Sequence, residues 1–568
     1  MFNSKQTKLF GSTPSVKKTS ATPTNAFVNA GMKKAAKTTS LGNGAVKFET
    51  TGNDFLDQFG KLTQYRAPRS YQEIDKDMRL LWGQNPEMTL KLTLFTRLIT
   101  RKVQLWDGSK TNEVQRGQGL KHEGIVRMVW VAINHPNAFW LNIQAFISVG
   151  SWKDIFQMLA FDLEYNGWSG RKLDWNKFGA LILAGLDNEN SVNLVKKYLP
   201  QIKANSQCRT LSSQADNMIA KWVCSLVFGS KEGGSTYKQY RKLKTSGTAH
   251  EWQKMISKKL FDSINFDSVH GRALMQLVSG KFIANNGLES RYEKWIAEKP
   301  VAKFTGYAYE LLQPVKSGYK NNTSLKKYQI DTINAQFNQL VETAKAGMNG
   351  ETGFIVVGDT SSSMTGNVSG LKVSSYDVMK SLALFFSELL EGQFNNTWIE
   401  FNDKGTMHTW KGSTPVEKLQ NDRSESYGST NFQGVADLFV SILKKGVSES
   451  EFPTGIICLS DGCFNSTGSN KTNRKEFLKR LKVGGFSNEF VDKFKIVLWD
   501  IPNGYYGVKP QTAFETYGDA PNMFYMSGLD GSTVSFLLGG GKAESAPKTA
   551  NELFLAAMDQ ESLNMVRI

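Results

Sequence analysis

Between residues 354 and 527, short apolar runs alternate with longer amphipathic stretches, and this alternation constrains the fold more than any other feature of the sequence. The runs are rich in Val, Ile, Phe and Leu, as strands buried on both faces are. They occupy residues 354–359, 397–402, 455–461, 495–500 and 522–527. Strands that alternate with helices form a mostly parallel sheet covered by helices on both faces. The sequence therefore predicts a doubly wound, Rossmann-like α/β fold in this part of the chain.

Residues from about 54 to 345 carry a different pattern, in which apolar residues recur at helical spacing. Met88, Leu92, Phe95 and Ile99 are separated by four, three and four positions, which places them on one stripe of a helix. Short connections between successive amphipathic helices favour antiparallel neighbours, and hence an all-α array of HEAT-like helix pairs. Ten of the thirteen tryptophans lie in this part, and core packing explains most of them better than base stacking.

The composition divides the chain into three predicted parts. Residues 1–50 contain eight lysines and a single acid, Glu49, which predicts a disordered basic arm. Residues 51–345 form the predicted helical domain. A glycine-rich stretch marks the change to the α/β domain, which is predicted to occupy residues 346–568.

The net charge is distributed unevenly along the chain. Residues 1–350 hold 49 Lys and Arg against 27 Asp and Glu, a balance of +22, whereas the remaining 218 residues carry a balance of −5. This asymmetry favours a polyanion, nucleic acid above all, as the partner of the first part. The candidate phosphate contacts lie in a polar loop between helices and in a basic segment with interleaved aromatics. They are Lys110, Arg116 and Lys121 in the loop, and Lys238, Arg241, Lys242 and Lys244 in the segment. The alternative for both is a solvated helical face.

Hard oxygen side chains follow the first predicted strand. Asp359, Ser361 and Ser363 form an Asp-x-Ser-x-Ser loop, and two later loops offer Thr430 and Asp461. Carboxylate and hydroxyl oxygens suit Mg²⁺ or Mn²⁺ and suit zinc poorly. Because ligands collect at the carboxyl ends of parallel strands, the sequence predicts a Mg²⁺ or Mn²⁺ site there. With few carboxylates, such a site leaves one position open to an acidic group of a partner. The alternative is a hydroxyl-rich turn that caps the following helix.

These three loops resemble the metal-ion-dependent adhesion site of von Willebrand factor A domains. In that family an Asp-x-Ser-x-Ser loop, a threonine and an aspartate from later loops bind the ion, and the matching residues here are the five named above. The stretches TLKLTLFTRLITRK, GQGLKHEG and YRKLKTS resemble the TROVE module of proteins that join it to a von Willebrand A domain, the group that includes the Ro autoantigen and its viral, fungal and plant relatives. The resemblance covers roughly residues 60 to 560.

In the Ro group, the helical repeats close into a basic ring that holds single-stranded RNA ends in its hole and structured RNA outside. The resemblance therefore implies an RNA-binding ring in a ribonucleoprotein, with RNA rather than DNA as the nucleic acid. It also implies an acidic protein partner at the metal.

Other chemistry has little support in the sequence. The five histidines are scattered, and no cysteine or serine stands in a recognisable nucleophile setting. A metal-dependent phosphodiesterase at Asp359 would lack the carboxylates for two metals. We therefore expect a binding protein rather than an enzyme.

Two functions of different class remain open. The first is the RNA-binding protein just described, and the second is a protein-interaction adaptor or structural assembly protein that does not bind RNA. The apolar stretches end well before the ~20 residues that cross a bilayer, and the start lacks the apolar core of a signal peptide. We therefore expect a cytoplasmic protein without a membrane partner.

Overall fold

The computed structural model describes most of the chain. The described residues are 38–40, 45–60, 69–229, 234–246, 250–298, 304–315, 325–345, 353–368, 371–468, 471–501, 514–538 and 547–568. Most of the predicted basic arm, residues 1–37 and 41–44, lies outside them.

The described part of the chain before residue 346 is helical apart from two short strands, β1 (Thr38–Ser40) and β2 (Val46–Phe48). Its α-helices are Asp54–Gly60, Tyr71–Gln84, Pro86–Arg97, Lys121–Asn134, Pro136–Leu141, Ile143–Val149, Trp152–Asn166, Trp175–Asp187, Val192–Tyr198, Leu211–Phe228, Gly234–Thr245, Glu251–Ser257, Gly271–Ser279, Phe282–Asn285, Glu289–Glu298, Ala308–Leu312 and Lys327–Lys345. Short 3₁₀ turns occupy Asn205–Gln207, Phe261–Ser263 and Phe266–Ser268.

The predicted apolar stripe falls on the helix Pro86–Arg97, where Leu92 and Phe95 are fully buried. The Asn85 side chain caps this helix by accepting a hydrogen bond from the Met88 backbone, and proline at the first position suits a helix start. The helix ends at Arg97, so the predicted last member of the stripe, Ile99, lies beyond it.

The α/β region contains a six-stranded sheet. Its strands are β3 (Phe354–Asp359), β4 (Thr397–Phe401), β5 (Gly405–Thr409), β6 (Gly455–Ser460), β7 (Lys495–Asp500) and β8 (Met523–Ser527). Its α-helices are Ser375–Leu389, Pro415–Asn421, Gln433–Leu443, Asn473–Gly484, Asn488–Lys493 and Ala550–Met558, with 3₁₀ turns at Ser362–Thr365, Gly392–Phe394, Glu449–Glu451 and Gly531–Phe536. The prediction of an α/β domain after a helical region is confirmed.

The sheet order is β5-β4-β3-β6-β7-β8. All neighbouring pairs are parallel except β4 with β5, which is antiparallel. The chain moves outward from β3 to β4 and β5, and then returns to place β6 on the other side of β3. The strand order therefore reverses between β3 and β6, and in open α/β sheets the crevice outside such a point is where ligands bind.

Alternate residues of the central strands enter two different cores. Val356 faces a core that it shares with Phe95 and Phe337 of the helical region, whereas Ile355 and Val357 face a second core. The first core is continuous, since the Phe337 ring lies 6.3 Å from that of Phe385 in the α/β region. The helical region thus packs directly on one face of the sheet.

Residues 45–60 pack against the α/β region, which differs from the prediction of a disordered arm through residue 50. The backbone of Phe48 exchanges two hydrogen bonds with Phe514, at 2.7 and 2.8 Å. Phe55 and Phe59 contact the Phe554 ring, with centroids 6.1 and 5.5 Å apart. Sequence composition missed this ordering because the anchoring contacts are more than 450 residues away along the chain.

Within the described residues, no helix combines the length and the apolar character needed to cross a bilayer.

Candidate metal centre

The first loop of the candidate site begins where β3 ends. Asp359 is fully buried, and its two carboxylate oxygens accept hydrogen bonds from the Ser361 backbone at 2.9 Å and from the Ser460 hydroxyl at 2.5 Å. The Ser361 and Ser363 hydroxyl oxygens lie 3.0 Å apart. Because Ser460 is the last residue of β6, the hydrogen bond to Asp359 ties the ends of the two central strands together.

The loop that carries Thr430 is bonded to the first loop through several contacts. Tyr427 donates its backbone N–H to the Thr360 carbonyl at 2.9 Å, and the Ser426 hydroxyl donates to the Ser361 carbonyl at 2.6 Å. In return, the Ser362 backbone donates to the Gly428 carbonyl at 3.2 Å. These contacts involve three consecutive residues within the Asp-x-Ser-x-Ser turn, so they fix its position against the second loop.

The third loop follows β6 and joins the second. The Asp461 carboxylate accepts from the Cys463 backbone at 3.0 Å, and the intervening Gly462 has a φ of +75°, a conformation that favours glycine. Asn465 connects this loop to Thr430 in both directions: its backbone donates to the Thr430 carbonyl at 2.9 Å, and its side chain accepts from the Thr430 N–H at 3.2 Å. The structure thus brings together the loops of all five predicted metal ligands.

The electrostatics of the site suit a cation. Burial, and then the neighbouring Asp461 carboxylate, raise the pKa of Asp359 to about 7. Two buried carboxylates close to each other are unfavourable unless an opposite charge lies between or beside them. A divalent cation supplies that charge.

The hydroxyl geometry also fits the ion. The Ser361 and Ser363 hydroxyls are hydrogen-bonded to each other at 3.0 Å, and neighbouring ligand oxygens of an octahedral site with metal–oxygen distances of about 2.1 Å would also be about 3.0 Å apart. Thr430 is only 5 % exposed, and its hydroxyl has no hydrogen-bond partner within the described part of the chain.

Among the described residues, no group of three or more His, Cys, Asp or Glu side chains is arranged to hold a metal. The candidate site differs in kind from such groups, since it combines two carboxylates with three hydroxyls.

The comparisons with known proteins bear on this region without assigning it an activity. A family model described as a domain of unknown function (DUF7788) matches residues 354–564, which run from β3 almost to the end of the chain. The chain is also similar to the uncharacterized protein L728 of Acanthamoeba polyphaga mimivirus, with 23% identity over 436 residues, or 70% of this chain and 67% of the viral protein. That length exceeds the α/β region, so the likeness includes part of the helical region as well.

A buried lysine, which the sequence did not predict, holds the first residues of the second loop in place. Lys380 of the helix Ser375–Leu389 is buried and donates hydrogen bonds to the Asp422 carboxylate and the Ser424 hydroxyl. Tyr376 of the same helix donates to the Ser424 carbonyl at 2.7 Å. A helix packed on the sheet therefore holds the start of the loop that carries Thr430.

A second buried lysine, Lys47, reaches the third loop from the N-terminal segment. Its ammonium donates to the Gly462 carbonyl at 2.7 Å and lies 3.9 Å from the buried Glu515 carboxylate. It also lies 5.0 Å from the centroid of the Phe464 ring. Burial raises the pKa of Glu515, and the Lys47 ammonium partly offsets that effect. Lys47 thus holds the residue next to Asp461 and neutralises a buried acid beside the site.

We expect Lys47→Met to destabilise the protein by about 3 kcal/mol at pH 8, because it leaves the Glu515 carboxylate buried without its cation. In the variant the folded-state pKa of Glu515 rises further, so protonation favours the folded protein and the loss shrinks as the pH falls toward 5. Denaturant unfolding at pH 5 and pH 8 measures both effects.

Adding Glu515→Gln to Lys47→Met should restore most of the stability at pH 8, whereas Lys475→Met, at an exposed lysine, should change little. An equal loss at both pH values would contradict the assigned pairing.

The candidate RNA contacts fall into two groups. Lys110, Lys238, Arg241 and Lys242 are exposed, and the last three lie on the helix Gly234–Thr245. Lys121 is half-buried, and burial and the neighbouring Lys153 lower its pKa.

Lys244 and Arg116 are hydrogen-bonded to other segments of the protein. The Lys244 ammonium donates to the carbonyls of Lys197 and Leu199, at the end of the helix Val192–Tyr198. Arg116 is buried against the C-terminal segment, where its backbone exchanges hydrogen bonds with the Gln560 side chain at 2.6 and 2.8 Å. A phosphate does not reach a buried guanidinium, so we leave Arg116 out of the proposed RNA surface.

Proposed function

We propose that this chain is a non-enzymatic RNA-binding protein of the Ro type, in which the helical region holds RNA and the α/β region binds Mg²⁺ or Mn²⁺. Through the open position of that ion, the α/β region recruits an acidic side chain of a protein partner. The observation that carries the proposal is the junction of three loops around the buried Asp359, at the point where the strand order reverses.

The metal part of the proposal is supported by the donor set. Asp359 and Asp461 would supply negative charge, and Ser361, Ser363 and Thr430 would supply neutral hydroxyls. Such a set balances the charge of a divalent ion without filling its shell with carboxylates, which leaves the ion able to accept one more from outside. When bound, the ion would supply electrostatic attraction for that external carboxylate.

The RNA part is supported by the charge balance of +22 over residues 1–350 and by the exposed basic side chains of the helix Gly234–Thr245. Lys238, Arg241 and Lys242 occupy positions i, i+3 and i+4 of this helix, so they share one side of it. Clustered, exposed lysines and arginines are what phosphate contacts require.

Purification of the protein from its native source at low salt tests the proposal as a whole. We expect RNA to be retained and released as salt is raised, and a protein partner to be released separately by EDTA. The adaptor function predicts the protein partner without RNA, and that result would overturn the RNA part of the proposal.

A further inference from the structure

The turn between the helices Trp152–Asn166 and Trp175–Asp187 presents an exposed tryptophan. Trp168 is 43 % exposed, whereas Trp130 and Trp152 in the helical core are almost fully buried. Core packing therefore accounts for the buried tryptophans, whereas the Trp168 indole contacts the buried Trp175 edge-to-face, with centroids 5.3 Å apart, and keeps much of its surface exposed. Tryptophan is enriched at binding interfaces because its ring combines a large apolar surface with a polar N–H.

Trp168 belongs to a short stack of flat groups. The Arg171 guanidinium carbon lies 3.9 Å from the centroid of the Trp168 ring and 5.0 Å from that of Trp175. Trp175 in turn contacts Trp222 edge-to-face, with centroids 4.7 Å apart. The exposed indole and its arginine are therefore backed by buried and half-buried aromatic rings.

A buried carboxylate fixes the shape of this turn. Asp162 is fully buried, and its oxygens accept hydrogen bonds from the backbone N–H groups of Lys172 and Leu173, at 3.0 and 3.2 Å, and from the Trp175 indole, at 3.0 Å. The preceding helix ends at Gly167, whose φ of +69° favours glycine. The platform is thus held in place before any ligand arrives, which lowers the entropy lost on binding.

We propose that Trp168 and Arg171 form a stacking platform for an unpaired base of single-stranded RNA, an inference that rests on the proposed RNA-binding function. Bases stack on aromatic rings and on guanidinium planes without regard to sequence, because every base has a π-face. The exposed Lys172 next to Arg171 supplies positive charge for the adjoining phosphate. A purely apolar protein partner is disfavoured because two cationic side chains, Arg171 and Lys172, lie at the platform.

The test measures the affinity of the full chain for a fluorescent single-stranded RNA decamer and for the same decamer with an abasic position at its centre. We expect Trp168→Ala to weaken binding of the intact decamer about tenfold, and Trp168→Phe to restore most of it. The slope of affinity against salt should stay unchanged, because no phosphate contact is removed. Removing the central base should lower the affinity of the wild type more than it lowers the affinity of Trp168→Ala.

Leu183→Ala, which removes another exposed apolar side chain of the helical region, is the matched control and should bind as the wild type does. If Trp168→Ala binds RNA as tightly as the wild type does, the stacking platform is wrong, although the RNA-binding function still holds. The exposed indole would then be a site for a protein partner. Absence of wild-type binding at low salt would overturn both.

Discussion

Asp359→Ala is expected to abolish Mg²⁺ and Mn²⁺ binding, with an affinity loss of at least 100-fold. The change removes a carboxylate that would contact the ion directly and that also fixes the Ser361 backbone and the end of β6. Thr430→Ala should produce a similar loss, because it removes the ligand of the second loop. Calorimetric titration of the wild type and both variants with each ion measures the effect.

The control for this titration is Asp437→Ala, which removes an exposed carboxylate that pairs with Arg480 elsewhere on the α/β region. It should titrate as the wild type does. Circular dichroism should show that all variants keep their helical content, since the candidate ligands all lie outside the helical region. Unchanged titration curves in Asp359→Ala and Thr430→Ala would refute the assigned ligands.

Reversing the charge of Lys238, Arg241 and Lys242 to glutamate should weaken RNA binding more than tenfold at low salt. The three side chains share one exposed side of a helix, so the variant loses phosphate contacts and gains repulsion. Three lost contacts should also lower the slope of log affinity against log salt by about 2 to 3. Fluorescence anisotropy with a structured RNA at several salt concentrations gives both quantities.

A matched variant carries the same reversals at Lys444, Lys445 and Lys471, which are exposed on the α/β region. It changes the net charge equally, and we expect it to keep most of the affinity and the full salt slope. Equal losses in the two variants would mean that RNA senses only the total charge, and no loss in either would exclude this helix as the RNA contact. Absence of RNA binding by the wild type would favour the adaptor function.

The strands were predictable because they are buried on both faces. β3, β6 and β7 read as uninterrupted apolar runs, and their predicted bounds agree with the structure to within one residue. The edge strand β5 was missed, since its residues are half-buried or exposed and polar, and only its pairing with β4 makes it a strand. β8 lies at the opposite edge of the sheet and was predicted, because most of its residues are buried and apolar.

The candidate ligands were predictable from spacing, whereas their supports were not. Asp359 and Asp461 each follow an apolar run, so the sequence itself indicates where they lie. Lys47, Lys380 and Asn465 stabilise the site by hydrogen bonds to groups that are distant in the chain or belong to another loop. A lysine in a basic, Ser-rich segment predicts solvent exposure, and only the folded chain pairs Lys47 with Glu515, 468 residues later.

Diffraction from crystals grown with Mn²⁺, recorded where manganese scatters anomalously, tests the central claim most directly. We expect one strong anomalous peak within coordination distance of the hydroxyls of Ser361, Ser363 and Thr430 and adjacent to the carboxylates of Asp359 and Asp461. A bound Mn²⁺ elsewhere, with only solvent between these five side chains, would contradict it.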